Sequence, residues 1–409
     1  MAMQSWPAPG LAPLPGTGDP LCLYDSATAT IKPTAPGDTA TMYVCGITPY
    51  DATHVGHAAT YVAFDLINRV WRDGGHNVKF AQNVTDVDDP LLERAWARGE
   101  DWRALAERET ELFRGDMTAL QVLPPDYYIG AVEAIPAIVE SIQELQAQGA
   151  TYEVDGDIYY RISASPRFGE VSRLARAQML PLFAERGGDP NRQGKSDPLD
   201  PVLWQQQSGD DPAWETELGH GRPGWHVECA AIATEYLGMP IDVQGGGSDL
   251  MFPHHEMSAA MSQSGLAQWP FARTYVHAGM VGYAGSKMSK SLGNLVFIKD
   301  LRAAGADPAA IRLALLDQHY RLDWEWRPEL LARAEERLGR WRAAFAADQG
   351  PEAANVLVRV RQVLADDLGA PKALAAIDRW VQDTNNSLGS DPEAPALLRT
   401  AAATLLGVS

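Results

Sequence analysis

The sequence predicts an α/β protein built on a parallel sheet, and three observations predict it. The apolar run Met42-Tyr43-Val44 leads through a turn-rich Cys45-Gly46-Ile47-Thr48-Pro49-Tyr50 into a helical pattern from about Gly56 to Trp71. Val78-Lys79-Phe80-Ala81 reads as a second short strand, which runs into Asn83-Val84-Thr85-Asp86 and is followed by helices through about Met117. The alternation then returns far along the chain, with a helix over Gly224 to Leu237, a strand over Ile241 to Gln244, and Gly245-Gly246-Gly247 as the turn beyond it.

The remaining segments differ in texture. Pro7, Pro9, Pro13 and Pro15 leave few backbone donors, so residues 1–40 read as an N-terminal lead-in, with the fold starting at Thr41. Residues 124–215 read as a subdomain inserted into a core made of 41–123 and 216–300. It has a helix from about Ala134 to Gln148, hairpin strands within Thr151 to Arg161, and then polar loop material. After about Asp307 the chain reads as helical throughout, and the helical-period segments Leu330 to Ala346 and Asn355 to Leu368 suggest a small bundle over 301–409.

Composition narrows the function. With 34 Lys+Arg against 53 Asp+Glu the formal charge is −19, so no basic surplus drives unspecific phosphate binding. The 45% hydrophobic content can bury a sizeable core. No apolar run reaches about 18 residues and the N-terminus lacks a basic start with an apolar stretch, so no membrane partner and a cytoplasmic location are expected. Three cysteines without a local CxxC argue against a disulfide framework. Cys22 reads as a small buried hydrophobe, whereas Cys45 and Cys229 are available for a metal.

Two segments carry the sharpest chemistry. His54-Val55-Gly56-His57 puts two imidazoles at a helix N-terminus, where backbone N–H groups and the helix dipole favour anions such as ATP phosphates. Lys287-Met288-Ser289-Lys290-Ser291 places two ammonium groups on a Gly- and Ser-flanked loop, suited to charge developing on pyrophosphate. A further set, Cys45, Cys229 and His254, falls at predicted strand ends or in adjoining segments, which converge at the mouth of a parallel sheet. Two thiolates and an imidazole suit Zn²⁺ and leave one coordination position open. The run Asp86 to Asp89 reads as helix capping rather than a metal site.

The first two segments, in this order, resemble the HIGH and KMSKS motifs of class I aminoacyl-tRNA synthetases. The contexts Arg222-Pro223-Gly224-Trp225-His226-Val227-Glu228-Cys229 and Phe252-Pro253-His254-His255-Glu256, with Asn83 to Asp89 and Lys195-Ser196-Asp197-Pro198, resemble the cysteinyl-tRNA synthetase branch over most of residues 20–300. The resemblance implies a Rossmann-like catalytic core and a zinc, held by Cys45, Cys229 and His254, that selects cysteine by its thiolate. It also implies an adenylate lined by Gly46, Ile47, Thr48, Thr60, Asn83, Val84, Thr85, Trp225, Gly247, Ser248, Asp249 and Val281.

Four departures redirect the expectation. Ser258 stands where that branch has a fourth zinc ligand, Ile47 and Pro90 replace its usual residues, and a Glu185-Arg186-Gly187-Gly188-Asp189-Pro190 segment sits in the inserted region. From Leu301 to Ser409 there are 13 Lys+Arg and 15 Asp+Glu, without the basic face expected of an anticodon reader. In these features the chain resembles the mycothiol ligases, amide-forming relatives of the synthetases. The resemblance implies a two-step ligase that activates L-cysteine with ATP, with Mg²⁺ accompanying the nucleotide. The cysteinyl group then passes to the amine of glucosaminyl-inositol, without tRNA, and a monomer is expected. Asp249, Glu185, Arg186 and Asp189 are the acceptor-side candidates, Asp249 being either a base or a helix cap. The alternatives are a cysteinyl-tRNA synthetase with a shortened C-terminus and a non-catalytic zinc-binding paralogue.

Overall fold

The computed structural model describes residues 3–288, the side chain of Lys287 excepted, and 293–409. Its centre is a five-stranded parallel sheet in the order Ala272–Ala278, Ile241–Gly247, Thr39–Ile47, Asn77–Val84, Tyr127–Gly130. Successive side chains of a strand point to opposite faces, so Met42 and Val44 join one apolar core and Tyr43 and Cys45 the other. From Thr39–Ile47 the chain passes through the helix Val55–Asp73 to Asn77–Val84 on one flank, while Ile241–Gly247 pairs on the other flank. Strand order therefore reverses at the central pair, which opens a crevice beyond their carboxyl ends.

The helix Val55–Asp73 is capped by His54, whose Nδ1 accepts from the Gly56 and His57 N–H groups. It is buried over most of its circumference, because the sheet covers one side while Pro308–Leu316, Ala354–Ala365 and the turn Ala402–Leu406 cover the other. Helices Ile135–Ala147, Trp225–Leu237 and Glu256–Gly265 cover the opposite face of the sheet.

Several expectations are corrected. The ordered fold begins before Thr41: Cys22–Asp25 and Thr30–Pro33 form an antiparallel pair, and Trp6, 4% exposed, donates from its indole to the Val122 carbonyl. These strands are too short for alternation to show. Cys22 is half-buried rather than enclosed, and all three cysteines are free thiols. Gly245 to Gly247 are not a turn but the end of the strand Ile241–Gly247. A Cβ on Gly245 would lie 2.0 Å from the Phe64 ring, so glycine there serves close packing.

Within the range read as inserted, Tyr127–Gly130 is the edge strand of the central sheet. The supposed polar loop holds a helix, Arg176–Glu185, and strands Val202–Gln206 and Trp214–Thr216. With Thr151–Val154, Asp157–Tyr160 and Gly219–Pro223 these strands build a second, five-stranded antiparallel sheet. The C-terminal region is not wholly helical either. Trp324–Trp326, a three-residue strand whose apolar-polar-apolar pattern is hidden among helical periods, pairs in parallel with Val281–Tyr283.

Candidate active site

A cavity of about 960 Å³ opens at the strand reversal. One wall comes from the parallel core and includes Cys45 to Thr48, His54, His57, Thr60, Trp225, Gly247, Asp249 and Val281. The facing wall comes from the second sheet and its helix and includes Tyr159, Phe183, Glu185 to Asp189 and Arg222. The structure thus gathers most of the residues singled out in the sequence into one space.

Cys45 lies two residues before the end of the central strand, Cys229 lies in the helix Trp225–Leu237, and His254 lies in the kinked turn Met251–His255, where Phe252 is extended. Their ligand atoms all lie within 4.8 Å of one another. His254 Nδ1 is 3.0 Å from His226 Nδ1, whereas the buried His254 Nε2 has no hydrogen-bond partner among the described residues. An imidazole that donates from Nδ1 leaves the Nε2 lone pair for a metal, the arrangement expected of a ligating histidine. Burial pushes the Cys229 thiol up, with the Cys45 sulfur adding to the effect, and pushes the His254 imidazole well down. Two soft thiols and a neutral imidazole, crowded together and buried, fit Zn²⁺.

The imidazoles around this cluster are uncharged at neutral pH. Burial lowers His226 to about 3 and His277 to about 4, and lowers His255 well below its ordinary value. His255 Nε2 is 3.2 Å from Cys45 Sγ, His255 Nδ1 is 2.8 Å from His277 Nε2, and His277 Nδ1 is 2.7 Å from Ser26 Oγ. If the Ser26 hydroxyl donates inward, each ring in turn donates to the next, and an N–H points at the Cys45 sulfur. Trp225 stacks on His254 with 4.2 Å between ring centroids.

On the nucleotide side, His54 and His57 stack at 3.8 Å. Because His54 Nδ1 accepts two backbone N–H groups, its ring proton sits on Nε2. Burial lowers His57 to about 4, so it too is neutral. The side chain of Lys287 and all of Lys290 lie outside the described residues, while the Lys287 backbone belongs to the strand Ser286–Lys287.

Three expected adenylate residues stand elsewhere: Asn83, Val84 and Thr85 are buried behind Gly46, near the end of the strand Thr39–Ile47, and do not line the cavity. The Asn83 side-chain carbonyl accepts from Gly46 N at 2.7 Å and from Tyr43 Oη at 3.1 Å. Its amide and the Thr85 hydroxyl donate to Glu228, at 2.6 and 2.8 Å. Burial pushes Glu228 up to about 8, against those two donors. A polar residue at a strand's end can face the ligand or brace the strand beside it, and here it braces. Ser248 lies in the short turn Ser248–Leu250 and is not among the cavity-lining residues. Ser258 is no ligand: its hydroxyl lies 2.8 Å from the His254 carbonyl and 3.1 Å from that of His226. Asp88 caps the helix Asp89–Arg98, as the capping reading expects, and Asp89 pairs with Arg222 at 2.5 Å.

A family model described as the tRNA synthetases class I (C) catalytic domain matches residues 31–336. Over its whole length the chain is 62% identical to the L-cysteine:1D-myo-inositol 2-amino-2-deoxy-alpha-D-glucopyranoside ligase of Thermomonospora curvata, with 100% of both chains covered. It is 57% identical to the ligase of the same name from Thermobifida fusca, over 100% of this chain and 99% of that one. The chain belongs to this ligase family.

As a member of the L-cysteine:1D-myo-inositol 2-amino-2-deoxy-alpha-D-glucopyranoside ligases it is an enzyme, on a class I synthetase catalytic fold. The methionyl-tRNA synthetase of Mycobacterium tuberculosis, solved with methionyl-adenylate, shares that fold, with a TM-score of 0.65 at 18% identity over 90% of this chain and 92% of that one. Among the described residues no helix is long and apolar enough to cross a membrane. The site of this ligase family member also contains residues the sequence reading missed. His226 carried a signal, since it lies three positions before Cys229 and so on the same helix face. His277 and Tyr159 carried none, because strand order in the central sheet brings the first near and packing of the second sheet brings the other.

Proposed function

We propose that this ligase converts L-cysteine and ATP into cysteinyl-adenylate and pyrophosphate, then passes the cysteinyl group to the amine of glucosaminyl-inositol, releasing AMP. The observation that carries this reading is the Cys45, Cys229 and His254 cluster, whose Cys45 lines the same cavity as His54 and His57 while Cys229 and His254 are buried behind it. When bound there, zinc supplies a Lewis acid that holds a substrate thiolate and thereby discriminates against serine, whose hydroxyl stays neutral.

The chain's own residues do the rest. The first turn of Val55–Asp73 contains no acidic residue, so no side-chain charge opposes the pull of its dipole on the ATP phosphates, and because His54 Nδ1 takes the Gly56 and His57 N–H groups, the His54 Nε2–H is the donor we assign to them. Lys287 and Lys290 neutralise charge as pyrophosphate separates, with Mg²⁺ accompanying the nucleotide. Gly46 to Thr48, Thr60, Trp225, Gly247 and Val281 shape the adenylate's seat. In the second step the amine must lose a proton as it attacks the carbonyl. Asp249 shares the core wall and is near enough to His57 to act on it electrostatically, which makes it the base we favour. Glu185 and Asp189 line the same cavity, and we assign them to the acceptor. The Asp189 carboxylate is oriented by the Tyr159 hydroxyl at 2.6 Å and the Lys195 ammonium at 2.7 Å.

The test is mass spectrometry of the product from ATP, cysteine and glucosaminyl-inositol, with AMP and pyrophosphate counted alongside. The amide is expected in equal amount to AMP. Charging of tRNA without amide formation would replace this reading with the synthetase one. Absence of cysteine-dependent ATP–pyrophosphate exchange would leave the non-catalytic paralogue.

A further inference from the structure

Arg186 was an acceptor-side candidate in the sequence, but its guanidinium is committed in part to the protein. It ends the helix Arg176–Glu185 as the C-terminal cap residue. From there its Nη1 donates to the main-chain carbonyls of both Asp249 and Phe252. Those carbonyls belong to the successive turns Ser248–Leu250 and Met251–His255, the second of which contains the backbone break at Phe252. A backbone that departs from helical geometry loses its internal carbonyl partners, and a cation from outside supplies them here. The same stretch carries Asp249 and His254, and on its far side the Ser258 hydroxyl bonds to the His254 carbonyl. Among the described residues the Arg186 Nε and Nη2 atoms make no hydrogen bond, so the side chain's one anchorage is this stretch.

We propose that Arg186 is a positioning residue: by donating to the Asp249 and Phe252 carbonyls it sets the distance from His254 to the two cysteines and the direction of Asp249 into the cavity. The helix Arg176–Glu185 thereby becomes part of the metal site's scaffold without supplying a ligand. This rests on the zinc-dependent reading above. Outer partners that orient a metal ligand typically govern about 10–100-fold in metal affinity. Since one nitrogen makes both bonds, a lysine ammonium can replace it in kind, whereas alanine cannot.

The experiment compares the intact parent, Arg186→Ala and Arg186→Lys in zinc release to an excess of chelator, followed by a colorimetric zinc indicator, together with thermal melts and the cysteine KM and kcat of ATP–pyrophosphate exchange. In Arg186→Ala, zinc should leave about 10–100-fold faster. Its cysteine KM should rise by more than its kcat falls, with lysine recovering most of both losses. Free guanidinium, below denaturing concentration, should slow zinc release from the alanine variant and not from the parent. Zinc release and cysteine KM that match the parent's in the alanine variant would overturn the proposal. So would a lowered melting temperature with no change in either, which marks a purely structural role. A parent that holds no zinc would overturn the underlying reading instead, and this proposal with it.

Discussion

Replacing Asp65 by asparagine should cost about 3–5 kcal/mol of stability, because it breaks a buried charge network that has no other acid among the described residues. Asp65 lies on the helix that starts with His54 and His57, and its Oδ2 accepts from Arg69 Nε at 2.6 Å and from Arg312 Nη2. Its Oδ1 accepts the Leu123 N–H at 2.8 Å. All three side chains are at most 1% exposed. The guanidiniums spend their other donors on carbonyls: Arg69 on Ala403 and Thr404, at 3.0 and 2.8 Å, and Arg312 on Leu120 at 2.7 Å and on Leu406. The substituted amide would keep a neutral oxygen but leave two buried cations facing no anion. A loss of this size is a large share of the roughly 5–15 kcal/mol that a folded domain possesses.

The assay for Asp65→Asn is equilibrium urea unfolding, followed by tryptophan fluorescence and far-ultraviolet circular dichroism. It also has a pH signature. Burial alone would raise the Asp65 pKa, but Arg69, Arg312 and the Leu123 N–H hold it below the ordinary carboxylate value. A carboxyl with a depressed folded pKa lends its stability in full above the unfolded value, near 3.9, and loses it as pH falls through the folded value. The gap between parent and variant should therefore be widest near neutrality and narrow below about pH 4. A neutral-pH loss under about 1 kcal/mol, the worth of an exposed pair, would refute the reasoning.

Four further outcomes are expected. Cys229→Ser should lose zinc at metal analysis, and full stoichiometry in that variant would contradict the ligand assignment. Because burial lowers His57 to about 4, the acid limb of ATP–pyrophosphate exchange should show no His57 titration at its ordinary 6.5, and a limb there that disappears in His57→Asn would be the contrary result. Gly245→Ala, whose Cβ would stand 2.0 Å from the buried Phe64 ring, should cost about 1–3 kcal/mol by overpacking, measured by denaturant midpoint; an unchanged midpoint would show that the ring yields freely. Asp249→Asn should slow amide formation from preformed cysteinyl-adenylate far more than it slows exchange, and equal losses would make Asp249 an adenylate or structural residue.

How much was legible in advance depended on whether the cause was local. The His54 and His57 helix start was readable because a cap and its first turn are set by four consecutive residues. Strand, helix and strand succession showed the parallel core, since burial on both faces leaves continuous apolar runs. The identities of the candidate metal ligands were readable from their immediate contexts, and so was the capping role of Asp88.

The tertiary structure decided what depends on approach between distant segments. Gly245 to Gly247 looked like a turn because glycine permits turns, yet at Gly245 a neighbouring phenylalanine ring, not a reversal of the chain, requires the missing side chain. Asn83 looked like a ligand contact and is a brace, because whether a strand-end amide faces the cavity depends on the neighbouring strand packed against it. Arg186 sat in a polar, glycine-rich segment without periodicity, so nothing in its neighbours revealed that it reaches two carbonyls more than sixty positions away. Sequence alone determined the elements and the chemical inventory, because propensity, capping and periodicity act over a few residues. Convergence of Cys45, Cys229 and His254 to within 4.8 Å was decided only by sheet order and helix packing, in which every distance is set by residues far apart in the chain.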